Sequence, residues 1–144
     1  MAKRIEDFTV TGNHRLTKDI FLLQIASSDK LPPLLPGQFI QVRVDDSPST
    51  FLRRPFSIHD VDYEKNSIKI LVQIAGKGTG KLSTLKEGER INIIYPLGNS
   101  FTQPDAGEKI LLVGGGCGVA PLYFLAEQLF RQGNKVSILI GGRS

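Results

Sequence analysis

Three short stretches of this chain combine residue types able to hold phosphate groups. The first is Arg53-Arg-Pro-Phe-Ser-Ile58. An arginine on a proline-stiffened strand can grip a pyrophosphate through charge-assisted hydrogen bonds, and a hydroxyl three residues on can bond a polar ring edge. The same residues also fit an edge strand with two solvated arginines. The second is Gln73-Ile-Ala-Gly-Lys-Gly-Thr-Gly-Lys-Leu-Ser83. Its glycines can turn successive N–H groups toward a phosphate, with a lysine nearby. It is not a Walker A loop, because three residues rather than four separate Gly76 from Gly80 and Leu82 follows Lys81. A flexible glycine turn stays open as a reading. The third is Gly114-Gly-Gly-Cys-Gly-Val-Ala-Pro121, where glycines would let a phosphate approach a helix N-terminus. Counted from Gly116, the last glycine position of the dinucleotide fingerprint falls on Pro121, and no acid near Gly141 is placed to bind a ribose hydroxyl. Tight strand–helix packing is the other reading.

The elements that position these stretches follow two grammars. Up to about Tyr95, alternation dominates: Phe39–Val44, Ile68–Ile74 and Arg90–Tyr95 read as strands. Turn clusters lie between them at 31–37, 45–48, 62–66 and 87–89, and Thr79–Lys86 reads as a short helical turn. Short strands at this spacing predict an antiparallel sandwich or barrel. Lys109–Val113 is then a continuous apolar run, expected to be a strand buried on both faces. Pro121 suits a first helical residue, Leu122, Leu125, Ala126 and Leu129 make one helical face, and Gly133 stops the helix. Lys135–Ile140 is a second buried strand, so the unit is strand–helix–strand with parallel strands. Pro104–Glu108 marks the boundary, giving units 1–104 and 105–144. Two strands and a helix cannot close a doubly wound sheet, so a fragment of a longer chain is expected.

Composition narrows the function classes. The 144 residues carry a net charge of +4, but the basic residues are scattered and form no nucleic-acid arm. Cys117 is the one cysteine, which excludes a disulfide framework and any cysteine-ligated cluster within these residues. His14 and His59 are too few for a zinc site without help, and no metal is expected. Residues 110–126 are uncharged, yet five glycines or prolines interrupt them, which argues against a membrane span. The N-terminus lacks a signal-peptide pattern, and a cytoplasmic location is expected. No Ser/His/Asp set or carboxylate pair suggests a hydrolase.

Together and in this order, the three stretches resemble the ferredoxin-reductase superfamily across nearly the whole chain. Within it, "RRPFSIHDVD", "GKGTGKLSTLKEGE", "YPLGNSF" and "LLVGGGCGVAPLY" are similar to electron-transfer subunits of NAD-dependent dihydroorotate dehydrogenases. The resemblance implies an antiparallel Greek-key FAD-binding β-barrel followed by an incomplete α/β parallel-sheet NAD-binding unit. It implies FAD as cofactor, NAD(H) as electron donor or acceptor, and a catalytic dehydrogenase flavoprotein as partner in a hetero-oligomer serving pyrimidine biosynthesis. By the same resemblance Arg54, Pro55, Phe56 and Ser57 contact FAD, with Arg54 at the pyrophosphate and Ser57 as the catalytic contact near the flavin ring. Leu71, Val72 and Gln73 line the cofactor with their backbone, and Gly78 and Thr79 form the phosphate turn. Gly115, Gly116 and Gly118 face the nicotinamide dinucleotide. The family's cysteine quartet and its two-iron two-sulfur cluster have no counterpart here, so this chain is not expected to bind an iron–sulfur cluster.

Strict alternation puts Arg54 and Ser57 on opposite strand faces. The resemblance asks the cofactor to lie along the strand with Pro55 interrupting the pairing; alternation alone would make Arg53 the phosphate ligand. Cys117 is read as a small packed side chain, His59 as a strand-surface residue, and Phe101 as a core aromatic. Two other functions stay open: a reductase subunit for a sulfide, glutamate synthase or hydrogenase partner, and a non-catalytic β-barrel module that binds a nucleotide or a protein.

Overall fold

A computed structural model describes residues 2–44 and 48–143. The expected turn at 45–48 therefore lies outside the described residues except for Pro48. Seven strands make one antiparallel sheet: β1 (Arg4–Arg15), β2 (Ile20–Ala26), β3 (Phe39–Val42), β4 (Arg54–Ser57), β5 (Asp60–Asp62), β6 (Ser67–Gln73) and β7 (Arg90–Leu97). Their spatial order is β4-β3-β7-β1-β2-β6-β5. Alternation drives the burial. Phe21, Leu23 and Ile25 of β2 and Ile68, Ile70 and Val72 of β6 point inward and are fully buried. A short helix, α1 (Lys77–Leu82), follows β6, slightly earlier than the pattern at Thr79–Lys86 suggests.

Chain connectivity forces the sheet to curl. β4 and β5 lie at its two ends, yet only Ile58 and His59 separate them. Flat, a sheet of this many strands would hold its outer strands about 29 Å apart. The link between them reaches only about 10 Å. The sheet accordingly rolls into a half-barrel. At the joint the backbone changes partner: the Ile58 N–H bonds the Gln38 carbonyl at 3.1 Å, and the His59 N–H bonds the Lys69 carbonyl at 2.9 Å. Ile58 itself is fully buried.

Residues 98–108 form no helix or strand. The strand–helix–strand unit then appears as expected: β8 (Lys109–Gly115), a 3-10 turn (Gly116–Val119), α2 (Leu122–Arg131) and β9 (Lys135–Gly141), with β8 and β9 parallel. Pro121 stands one position before α2 rather than within it. Leu122, Leu125 and Leu129 bury their face of α2 against Leu112. Burial of both strand faces, however, is not found: Leu111 and Val113 are each 64% exposed and Leu139 61%. Only α2 covers this two-stranded sheet among the described residues, so one face has no partner.

Inside the half-barrel, the Tyr95 ring meets Phe8 edge-to-face at 5.2 Å, and its hydroxyl donates to Glu6 Oε2 at 2.7 Å. The other Glu6 oxygen accepts from the Ser27 hydroxyl. Burial first, then the Glu6 hydrogen bond and charge, push the Tyr95 phenol well above its ordinary value. The folded state therefore holds the phenolic proton more tightly than the unfolded chain. This contribution is complete below about pH 10, where an unfolded tyrosine titrates, and declines above it. Tyr95→Phe should cost about 1–3 kcal/mol in urea unfolding at pH 8. The difference from wild type should then shrink by up to about 1.4 kcal/mol per pH unit above pH 10.

Candidate functional site

β4 is an edge strand whose four residues pair in regular register with β3: Arg54 opposite Val42, Pro55 opposite Gln41, Phe56 opposite Ile40 and Ser57 opposite Phe39. The expected interruption at Pro55 does not occur. Proline needs only its carbonyl for the ladder when its nitrogen faces the open edge. Alternation holds, and Phe56 turns inward to pack on the core. Arg54 nevertheless reaches the glycine turn. Its guanidinium lies so close to Gly78 that a Cβ there would stand 2.9 Å from Nε and 3.2 Å from Cζ. A Cβ there would push this end of the flexible arginine side chain aside. Arg54 also donates from a guanidinium nitrogen to the Leu52 carbonyl.

Arg53 is committed elsewhere. Its guanidinium donates to the Asn92 carbonyl at 3.2 Å, to the Gln41 carbonyl at 3.4 Å and to Asn92 Oδ1, tying β3 to β7. Burial and the neighbouring Arg43 lower its proton affinity from the usual arginine range. Alternation does not make Arg53 the free cation after all.

The turn before α1 is braced from within. Thr79 Oγ1 accepts the N–H of Ala75 at 2.8 Å and of Gly76 at 3.2 Å, and donates to the Gly76 carbonyl at 3.2 Å. Its hydroxyl is thus used to shape the turn. The first-turn N–H groups of any helix have no partner inside it. At the other end of α1, the Asn13 amide donates to the carbonyls of Leu82, Ser83 and Leu85 at 3.3, 3.2 and 2.9 Å. Sequence patterning gave no hint of this capping from a distant strand.

Leu71, Val72 and Gln73 pair with β2 on one side. On the other, β5 pairs only with Ser67–Lys69, so the edge of β6 beyond Lys69 has no strand partner among the described residues. The Lys69 carbonyl points to β5 and the Ile74 N–H to Asp19 beside β2, so by alternation the backbone groups of Leu71 and Gln73 face this gap, while Val72 turns its side chain into the core.

The third stretch closes on the same region. Gly115 ends β8, Gly116 takes a left-handed φ of 55°, and the 3-10 turn carries Gly118. Between those glycines Cys117 is exposed, not packed, and its Sγ donates to Gln73 Oε1 at 2.9 Å. His59 is no idle surface residue either: its Nδ1 lies 2.7 Å from the Ala120 carbonyl, and its ring stacks on Tyr123. Phe101 lies outside the core, 36% exposed, with its N–H on the Pro36 carbonyl. The structure thus gathers Arg54 against Gly78, next to Thr79. It also brings Gln73, at the end of β6, against Cys117 of the Gly115–Gly118 turn.

An antiparallel half-barrel followed by a parallel strand–helix unit is the ferredoxin-reductase-like FAD-binding fold. Residues 7–101 match the family described as "Oxidoreductase FAD-binding domain", and the chain belongs to that family. It is 37% identical over 143 residues to the "Dihydroorotate dehydrogenase B (NAD(+)), electron transfer subunit" of Fusobacterium nucleatum subsp. nucleatum, covering 98% of this chain and 55% of that protein. The Shouchella clausii protein of the same name is 36% identical with the same coverage. The chain spans about half the length of the curated relatives it matches. A solved structure of an NADH-dependent reduced ferredoxin-NADP oxidoreductase, studied for flavin-based electron bifurcation, superposes with a TM-score of 0.85 at 31% identity, over 95% of this chain and 49% of that one. The ferredoxin reductase of carbazole 1,9a-dioxygenase shares the fold, with a TM-score of 0.87 at 23% identity, over 99% and 44% of the two chains. No helix among the described residues is long and apolar enough to cross a membrane.

The residues present fit FAD. The missing Cβ at Gly78 leaves room for a guanidinium against a helix's first turn, and the β6 edge left unpaired among the described residues leaves backbone groups for a bound ligand. This arrangement depends on α1 being held from below. Asn13→Ala should strand the carbonyls at the end of α1 and cost about 1–3 kcal/mol in chemical unfolding. Amide exchange should quicken across residues 77–85, while the β1–β2 ladder stays protected.

Proposed function

We propose that this chain is the flavin-holding part of an electron-transfer subunit that passes electrons between NAD(H) and a catalytic dehydrogenase flavoprotein. The names of the relatives favour a dihydroorotate dehydrogenase partner, and a cytoplasmic hetero-oligomer serving pyrimidine biosynthesis completes the reading. The division into a flavin unit at 1–104 and the start of a nucleotide unit at 105–144 belongs to the same proposal. The single observation that carries it is the convergence of Arg54 on Gly78, beside a backbone edge that no strand covers among the described residues.

In this reading Arg54 and the first-turn N–H groups at Gly78 and Thr79 hold the FAD pyrophosphate. The backbone of Leu71, Val72 and Gln73, together with Pro55 and Phe56 through theirs, lines the cofactor. Ser57 offers a hydroxyl to the flavin's polar edge, and Gly115, Gly116 and Gly118 admit the phosphates of NAD(H). When bound, the flavin accepts a hydride and releases electrons singly. The protein's part is to bind both dinucleotides, to orient them and to keep water from the space between.

A charge-assisted hydrogen bond contributes about 1.5–3 kcal/mol, so Arg54→Ala should weaken FAD binding about ten- to a hundredfold in a fluorescence titration. Arg53→Ala should instead lower stability, with FAD affinity changed far less. The opposite pattern would return the phosphate role to Arg53. Ser57→Ala removes a neutral bond of about 0.5–1.5 kcal/mol and should leave FAD affinity within about tenfold while slowing reduction by NADH. The partner assignment is checked by reconstituting the FAD-loaded subunit with a catalytic dihydroorotate dehydrogenase flavoprotein. NAD-dependent oxidation of dihydroorotate should require both proteins, and its absence would favour a different acceptor.

A further inference from the structure

The glycine turn that faces the flavin strand is not attached to the half-barrel by chain connectivity nearby. Residues 98–108 run between the two without helix or strand. What holds the turn in place is side-chain contact. On one flank, Cys117 reaches Gln73 at the end of β6. On the other, His59 sits at the β4–β5 joint, two residues beyond Ser57, and meets Ala120, two residues beyond Gly118.

The chemistry of the second contact is specific. A backbone carbonyl can only accept, so at 2.7 Å the His59 Nδ1 must carry the proton. The ring also stacks on Tyr123 in the first turn of α2, with centroids 5.2 Å apart and planes 24° apart. Hydrogen bond and stack together fix both the height and the tilt of the segment that follows the glycine turn. The joint beneath is itself rigid, since Ile58 is fully buried and the His59 N–H is bonded to Lys69.

We infer that His59 is a positioning residue, a latch that sets the distance between the nucleotide-facing turn and the flavin-facing strand. The inference rests on the electron-transfer reading above for its consequence, though not for its geometry. Hydride transfer needs reacting atoms about 3–3.5 Å apart, and a misplacement of about 1 Å can cost a hundredfold in rate. A latch of this kind acts on the limiting rate of flavin reduction, and far less on how tightly either dinucleotide binds.

Two variants of the intact, FAD-loaded protein separate the latch from general stability. His59→Phe keeps a ring for Tyr123 and removes the donor. His59→Asn loses the stack and places an amide N–H where Nδ1 stood. In stopped-flow reduction by NADH, His59→Phe should lower the limiting rate about tenfold or more, with the half-saturating NADH concentration within about threefold and FAD affinity unchanged. His59→Asn should recover to within about threefold of wild type. Peptide-resolved amide exchange without NADH should be faster over residues 116–126 in His59→Phe and restored in His59→Asn. A His59→Phe protein as fast as wild type overturns the latch, as does a His59→Asn protein no better than His59→Phe. So does a loss that falls on FAD retention. If NADH fails to reduce even the wild-type flavin, the electron-transfer reading fails, and exchange alone then judges the latch. Faster exchange in His59→Phe that His59→Asn reverses upholds it, and unchanged exchange refutes it.

Discussion

The two-residue link between β4 and β5 is the constraint from which the rest of the molecule follows. It joins the opposite ends of a seven-stranded sheet, so the sheet must roll until those ends meet. Because β5 is only three residues long, the meeting is incomplete. Beside the gap left between β4 and the far half of β6 stand the Arg54–Gly78 contact and the glycine turn that Gln73 meets. Hydrophobic burial supplies the force for rolling, since one face of nearly every strand is apolar. Connectivity decides where the seam falls.

The Arg54–Gly78 contact is set by residues outside it. Asn13, on β1, caps α1 and so steadies Gly78 beneath the Arg54 guanidinium. Arg53 spends its donors inside the sheet, holding β3 to β7 and leaving its neighbour as the arginine beside the turn. Adjacent residues of one type thus divide, one tying strands together and the other meeting a glycine turn. Such a division is invisible to any rule that counts residue types.

Sequence alone made the second grammar easy to read. An apolar run, a glycine cluster and a helical face gave β8, α2 and β9 nearly to the residue. The central strands β3, β6 and β7 were legible because polar residues alternate with apolar ones. β1 and β2 were not singled out, for physical reasons. In β2 the outward positions Ile20 and Leu22 are also apolar, which hides the period. In β1 the register shifts between Val10 and Gly12, so no single alternation spans the strand. Burial of β8 and β9 on both faces failed because it depends on neighbours that the described residues do not include. Within the site, the types in Arg-Pro-Phe-Ser and Gly-Lys-Gly-Thr pointed to phosphate. The pairings Cys117–Gln73 and His59–Ala120 join residues far apart in the chain, and no local pattern encodes them.

The brevity of β5 has an evolutionary consequence. Its pairing stops at Lys69, and two more residues in register would zip the outer edge of β6 shut through Leu71. Such an insertion would add ladder hydrogen bonds and remove an exposed edge, changes that ordinarily favour a fold. Here it would seal the opening in which the proposed cofactor site lies. Selection on this family should therefore tolerate length variation in the turn at 62–66 far more readily than in the strand before it. A strand kept short against its own stability is the mark that a site leaves on a scaffold.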